Sequence, residues 1–197
     1  MSLTAYPEVM TTQPVAAGVT RQQWVDAVVG EDHWLEIVGG EFAVRRVGGN
    51  PHHYLASRLA LAFEDQWGAV ACAPGNWALR ESGGVIDVGR IPDVLVDGPQ
   101  LLREPVYAGV PEAAAEVWSP SNTLAEMNAK RQDYRQAGLP VLVEASLTDA
   151  GEVHLEWYVN AGDRWELEAV AVGERPLVVE RPRPFTVVPD RLLRSPR

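Results

Sequence analysis

The sequence predicts an α/β fold, with a mixed β-sheet flanked by two main helices and extra antiparallel strands on the C-terminal side. Three observations carry that expectation. Two segments, residues 51–66 and 123–137, open on helix-start signals. Short apolar or alternating segments lie before, between and after them. No internal repeat and no long linker divides the 197 residues, so one domain is expected over 20–193, behind a loosely held extension at 1–19.

Taken in order, Thr20 and Gln23 form a capping-box pattern that opens a short helix around residues 22–29, which Gly30 can end. Residues 34–38 and 41–44 alternate around Gly39-Gly40 and read as a β-hairpin. Asn50 as N-cap and Pro51 at the first helical position start the helix over 51–66, with Leu55, Leu59, Ala62 and Phe63 at helical spacing. Strands are expected at 69–73, 77–80, 91–96 and 113–118. Thr123 and Glu126 form a second capping box, and Gly138 and Pro140 stop the helix it opens. The remainder is strand-rich, at 141–146, 153–158, 165–172 and 177–180, with a helical turn near 189–193. Trp157 and Trp165 are expected to pair across two of these strands.

Composition bounds the function. Hydrophobic residues make up 46% and charged residues 22%, which suffices for a real core. No run of eighteen apolar residues offers a membrane span. Residues 1–18 lack the basic start and apolar stretch of a secretory signal. The single cysteine, Cys72, excludes an internal disulfide framework and a cysteine zinc cluster, and it reads as an inert buried thiol. A reduced, cytoplasmic protein is the expectation. The net charge of −10, from 17 basic and 27 acidic residues, weighs against a sequence-independent grip on nucleic acid.

Two acids stand where acids are costly. Asp93 precedes the apolar Val94-Leu95-Val96, and Glu116 lies within Ala113-Ala114-Ala115-Glu116-Val117. A carboxylate in such a strand needs a partner, a shared proton or a cation. If the two strands are neighbours, both acids reach one spot, and hard oxygens of this kind suit Mg²⁺ or Mn²⁺. Lys130 follows on the next helix, with Tyr134 one turn further along the same face. Such a lysine could orient water or stabilise developing negative charge in metal-assisted phosphodiester hydrolysis. The bland alternatives are a Glu116–Arg90 ion pair, a surface Glu126–Lys130 pair at i, i+4, and Tyr134 as a packing residue with a partly wet hydroxyl.

The ordered motifs resemble the Uma-type restriction endonuclease family, within the restriction-endonuclease-like PD-(D/E)XK superfamily. The matching stretches are Trp34 to Glu41, Asn50-Pro51-His52, Arg90 to Val96, Glu116 to Ser121 and Lys130 to Gly138, together covering roughly residues 20–193. The resemblance implies Asp93 and Glu116 as metal ligands, Lys130 in the role of the superfamily's catalytic lysine, and Glu41 and His52 as supporting members, to which helical spacing adds Tyr134. The superfamily's lysine normally stands two residues after the acid, where this chain has Trp118, and Lys130 on the following helix matches the displaced role. DNA is the implied substrate, Mg²⁺ or Mn²⁺ the implied cofactor, and a homodimer the expected assembly. Arg45, Arg46, Arg58, Arg131 and Arg135 could supply a basic rim. The alternative is a non-catalytic binding or assembly protein that retains the nuclease fold.

Overall fold

The computed structural model describes residues 18–30, 33–120 and 122–194, so the expected extension at 1–19 lies outside the described residues apart from Gly18 and Val19. Val19 is buried and bridges Ile86. The first elements are α1 (Arg21–Asp26), β1 (His33–Val38), β2 (Glu41–Arg46) and α2 (Asn50–Trp67). They are followed by β3 (Val70–Cys72), β4 (Trp77–Ser82), β5 (Val85–Arg90), β6 (Val94–Asp97), β7 (Ala113–Val117) and α3 (Leu124–Gln136). The chain closes with β8 (Val141–Leu147), β9 (Val153–Asn160), β10 (Trp165–Val172), β11 (Leu177–Val179) and β12 (Phe185–Val187), then a 3₁₀ turn at Pro189–Leu193.

These strands form a six-stranded mixed sheet in the order β10-β9-β8-β7-β6-β3, a four-stranded sheet β2-β1-β5-β4, and the β11–β12 ribbon. Within the six-stranded sheet, β7 and β8 run parallel, with α3 as the crossover between them, and the other pairings are antiparallel. The α/β class and the mixed sheet match the expectation. The second sheet does not follow from it. A strand at 85–90 was not expected, and the strand expected at 91–96 begins only at Val94, as β6, after β5 has ended at Arg90. Pro92 explains the break, because it cannot donate to a ladder. Gly83 and Gly84 both have positive φ (61° and 79°), as do Gly39 and Gly40 (62° and 78°), so each pair makes a two-residue hairpin turn whose twist suits the flanking strands.

Side chains alternate across the six-stranded sheet, which separates core from site. One face presents Val94, Val96, Ala113, Ala115, Val117, Val143, Leu155 and Trp157 to Leu55, Leu59 and Phe63 of α2. The opposite face presents Leu95, Ala114 and Leu142 to Tyr134 of α3, with Trp77 and Leu139. Trp157 packs among Phe63, Trp67 and Phe185 in tilted and edge-on contacts. It lies opposite Ala169, whereas Trp165 lies opposite Asn160, so the expected Trp157–Trp165 pair does not form.

Both capping boxes are present, at Thr20 with Gln23 and at Thr123 with Glu126. The first helix ends at Asp26 rather than near Gly30, since Ala27 turns extended. In α2 the cap is Gly49, and Asn50 already belongs to the helix. Cys72 is half-buried, with its thiol pushed up by burial and by Glu64. Among the described residues no helix is long and apolar enough to cross a membrane.

Candidate active site

Extending the β6–β7 register by one step beyond Val94↔Ala115 sets Asp93 opposite Glu116, on the face covered by α3. Both acids are buried, at 5% and 3% exposure. Asp93 Oδ2 accepts the Val117 amide at 2.7 Å, and its Oδ1 lies 2.9 Å from His52 Nε2 at the start of α2. Burial disfavours a charge on His52, but the hydrogen bond and charge of Asp93, and the charge of Glu116, raise its pKa above the usual imidazole value.

Helix α3 meets Glu116 with two residues one turn apart. Lys130 Nζ donates to both carboxylate oxygens, at 3.1 and 2.9 Å, and the buried Tyr134 hydroxyl donates to Oε1. Burial pushes the Glu116 carboxyl up to about 7, with the neighbouring Asp93 charge adding to the rise and Lys130 pulling against it. Burial lowers the Lys130 pKa, yet the surrounding Glu116, Glu36 and Asp93 carboxylates win and raise it, so the ammonium stays charged. The Tyr134 hydroxyl is pushed well above its ordinary value by burial and then by Glu116. Lys130 therefore pairs with Glu116 and not with Glu126, which caps α3 and binds Arg45. The hydroxyl of Tyr134, expected to be partly wet, is fully enclosed.

The sequence reading missed the third acid of the cluster. Glu36, on β1, is 1% exposed. Its Oε1 lies 3.2 Å from Lys130 Nζ and accepts the Ile91 amide at 3.3 Å, and its Oε2 accepts Arg90 at 2.7 Å and Arg45 at 3.3 Å. Burial opposes its ionisation, but Lys130 and Arg90 outweigh that and bring its pKa down to about 2. Arg90, whose other side binds Asp133 of α3, thus pairs with Glu36 and not with Glu116. The signal was available: Glu36 sits between Leu35 and Ile37 in a buried strand, the same pattern that singled out Asp93 and Glu116. Glu41, in contrast, is not brought into the cluster. It is exposed at the hairpin turn, opposite Val38, and its side chain has no hydrogen bond or ion pair among the described residues.

The free lone pairs of the donor set decide whether it can take a divalent ion. No group of three or more His, Cys, Asp or Glu side chains among the described residues is arranged as a metal cage. Mg²⁺, however, keeps several waters and takes one or two carboxylates. Asp93 has one lone pair committed on each oxygen, and Glu116 Oε2 has one committed, which leaves positions open on both residues. Two opposed, buried carboxylates with open hard-oxygen positions fit such an ion.

The proposed basic rim is only partly free. Arg45 is bound to Glu36 and Glu126, Arg131 to Glu144, and Arg135 to the Gly162 carbonyl. Arg46 and Arg58 have no ion pair among the described residues, and Arg58 Nε is buried without a partner.

The structure resembles the crystal structure of "a putative nuclease belonging to DUF820" from Anabaena variabilis, with a TM-score of 0.58 and 12% identity, covering 83% of this chain and 89% of that one. At that identity the likeness concerns the fold. No curated protein matches the chain. The sequence pattern of the Uma2 family, described as "Putative restriction endonuclease", matches residues 22–187, and the chain belongs to that family.

Proposed function

We propose that the protein is a metal-dependent endonuclease that hydrolyses phosphodiester bonds in DNA, with Mg²⁺ or Mn²⁺ held by Asp93 and Glu116. The observation that carries the reading is the buried ammonium of Lys130, 2.9 Å from Glu116 and 3.2 Å from Glu36, on the face that Asp93 shares. A hydrolase of phosphodiesters needs a fixed cation near developing negative charge and a charged site to anchor water and metal. Membership of a family described as a restriction endonuclease supports it. The ion, when bound, would offset phosphate charge and acidify a coordinated water. Lys130 would stabilise the negative charge that grows on the phosphoryl oxygens. Tyr134 and Glu36 would hold Glu116 and Lys130 in register, and His52 would fix the Asp93 carboxylate. The proposal extends to a cytoplasmic homodimer, for which the long edge strand β10, with exposed Leu167 and Val170, offers a surface.

One observation favours a second reading, a binding or assembly protein that keeps the fold. The net charge is −10, and Arg45 and Arg131 of the expected basic rim are neutralised by acids. Cleavage of plasmid and linear DNA with Mg²⁺ or Mn²⁺, by wild type, Asp93→Asn and Lys130→Met, separates the two. The nuclease reading expects both variants to fall at least a hundredfold and Asp93→Asn to lose metal binding by calorimetry. Equal cleavage by all three would remove the catalytic assignment. Nucleic-acid binding with no cleavage by any of them would favour the second reading.

A further inference from the structure

The face that carries the candidate site continues beyond it. Glu116, Glu144 and Glu156 lie side by side on β7, β8 and β9, and two residues further along the same face stand Trp118, Ser146 and His154. Trp118, Glu144, Ser146, His154, Glu156 and Arg131 of α3 line an open cavity of about 280 Å³, which Glu116 itself does not border. Trp118 occupies the position two residues after Glu116. Its indole N–H donates to Glu144 at 2.9 Å, which fixes the ring, and the Arg131 guanidinium lies 5.8 Å from the ring centre.

The polar groups divide into committed and available ones. Arg131 is bound to both oxygens of the buried Glu144. Glu156 Oε2 accepts the Tyr158 hydroxyl at 2.8 Å, and its Oε1 stands 4.0 Å from His154. Glu156 Oε1, the Ser146 hydroxyl and the His154 ring accept or donate no side-chain hydrogen bond among the described residues. Two carboxylates thus face one already-paired guanidinium. A phosphate would meet like charge here, whereas a neutral planar group with N–H donors would meet a carboxylate acceptor, a hydroxyl and an aromatic ring.

We infer that this cavity is a nucleobase subsite, which takes the base of a nucleotide flanking the bond at Glu116 and favours bases that carry an exocyclic amino group. The inference rests on the nuclease reading. Position supports it: the cavity lies about 7 Å along a strand and about 5 Å across from Glu116, close enough for a base whose phosphate is at the acid pair. Size supports it too, since the volume sits just under the range of about 300–1,000 Å³ for small-ligand sites and suits one base. Chemistry selects the class. Glu156 Oε1 accepts from the amino group of cytosine or adenine, which thymine lacks. The indole of Trp118 supplies a stacking surface that every base can use.

The test is fluorescence anisotropy of labelled single-stranded oligo-dC, oligo-dA and oligo-dT on the full chain in EDTA, so that binding is read without cleavage. Oligo-dC should bind about tenfold tighter than oligo-dT, two pyrimidines that stack alike. Glu156→Gln, whose amide can both donate and accept, should erase that preference by letting oligo-dT catch up. His154→Ala, at a partly exposed position, should weaken all three without shifting the melting curve, and Trp118→Ala should weaken all three about tenfold. Binding without a preference for oligo-dC, or a preference that survives Glu156→Gln, would overturn the subsite and leave the nuclease reading standing. Loss of all oligonucleotide binding together with absence of cleavage would overturn that reading itself.

Discussion

Removing the charge of Glu36 should destabilise the whole fold, and the size of the effect follows from its surroundings. Its pKa is held at about 2 against an ordinary 4.5, which corresponds to about 3 kcal/mol of stability at neutral pH. Glu36→Gln keeps the volume and one acceptor, but leaves Arg90 and Lys130 with a single carboxylate each, Asp133 and Glu116. Breaking one member of a buried ionic cluster costs about 3–5 kcal/mol. Because both cations keep a partner, the lower end is expected, and for a chain of this size about 3 kcal/mol lowers Tm by roughly 6–12 °C. The sign with pH is fixed by the depressed acid. Its contribution is complete above about pH 4.5 and declines as pH falls toward 2, so at pH 3 roughly half or less should remain. Urea unfolding of both proteins at pH 7 and pH 3 reads this as a difference of differences. A gap below about 0.5 kcal/mol at pH 7, or one that fails to narrow in acid, would refute the reasoning.

Two further outcomes follow from local geometry. Thr123→Ala removes the side-chain cap that accepts the Glu126 amide, and should cost about 1 kcal/mol in urea unfolding without changing the m-value. Phe63→Ala opens a cavity among Trp67, Trp157 and Phe185, and should cost about 3–5 kcal/mol, read by thermal unfolding, while leaving any metal affinity of Asp93 and Glu116 unchanged.

Much of the fold was legible because its signals are local. The capping boxes at Thr20 and Thr123 and the glycine pair at 39–40 act within a few residues, and the structure shows them in place. An acid in an apolar strand needs a reason, and Asp93 and Glu116 each have one in their buried partners. Glu36, between Leu35 and Ile37 in a buried strand, carries the same signal. What was not legible depends on distance. That Arg90 chooses Glu36 over Glu116 is decided by β5 pairing with β1, a contact separated by some fifty residues. The strand at 85–90 was hidden because polar Asp87 and small Gly89 dilute its pattern. Gly89 is glycine because a Cβ there would sit 2.7 Å from the Trp24 ring, a constraint that comes from another element entirely. Trp157 and Trp165 were paired by type, whereas register pairs them with Ala169 and Asn160.

Helix α3 behaves like a key with four teeth. Lys130 engages Glu116 and Glu36, Arg131 engages Glu144, Asp133 engages Arg90, and Tyr134 engages Glu116 at the Oε1 that Lys130 also reaches. A turn of the helix by one residue would swing each tooth by about 100° and misalign all of them together, leaving at least three buried charges unmet. The position of the site lysine is therefore not adjustable by itself. Its placement is decided at the same moment as the docking of the helix, so a chain in which α3 has seated at all has already aligned Lys130 on Glu116. Variation that retunes the chemistry is then confined to residues outside those four teeth, which leaves Trp118, Ser146 and His154 as the positions where neighbouring specificity can drift while the lock stays closed.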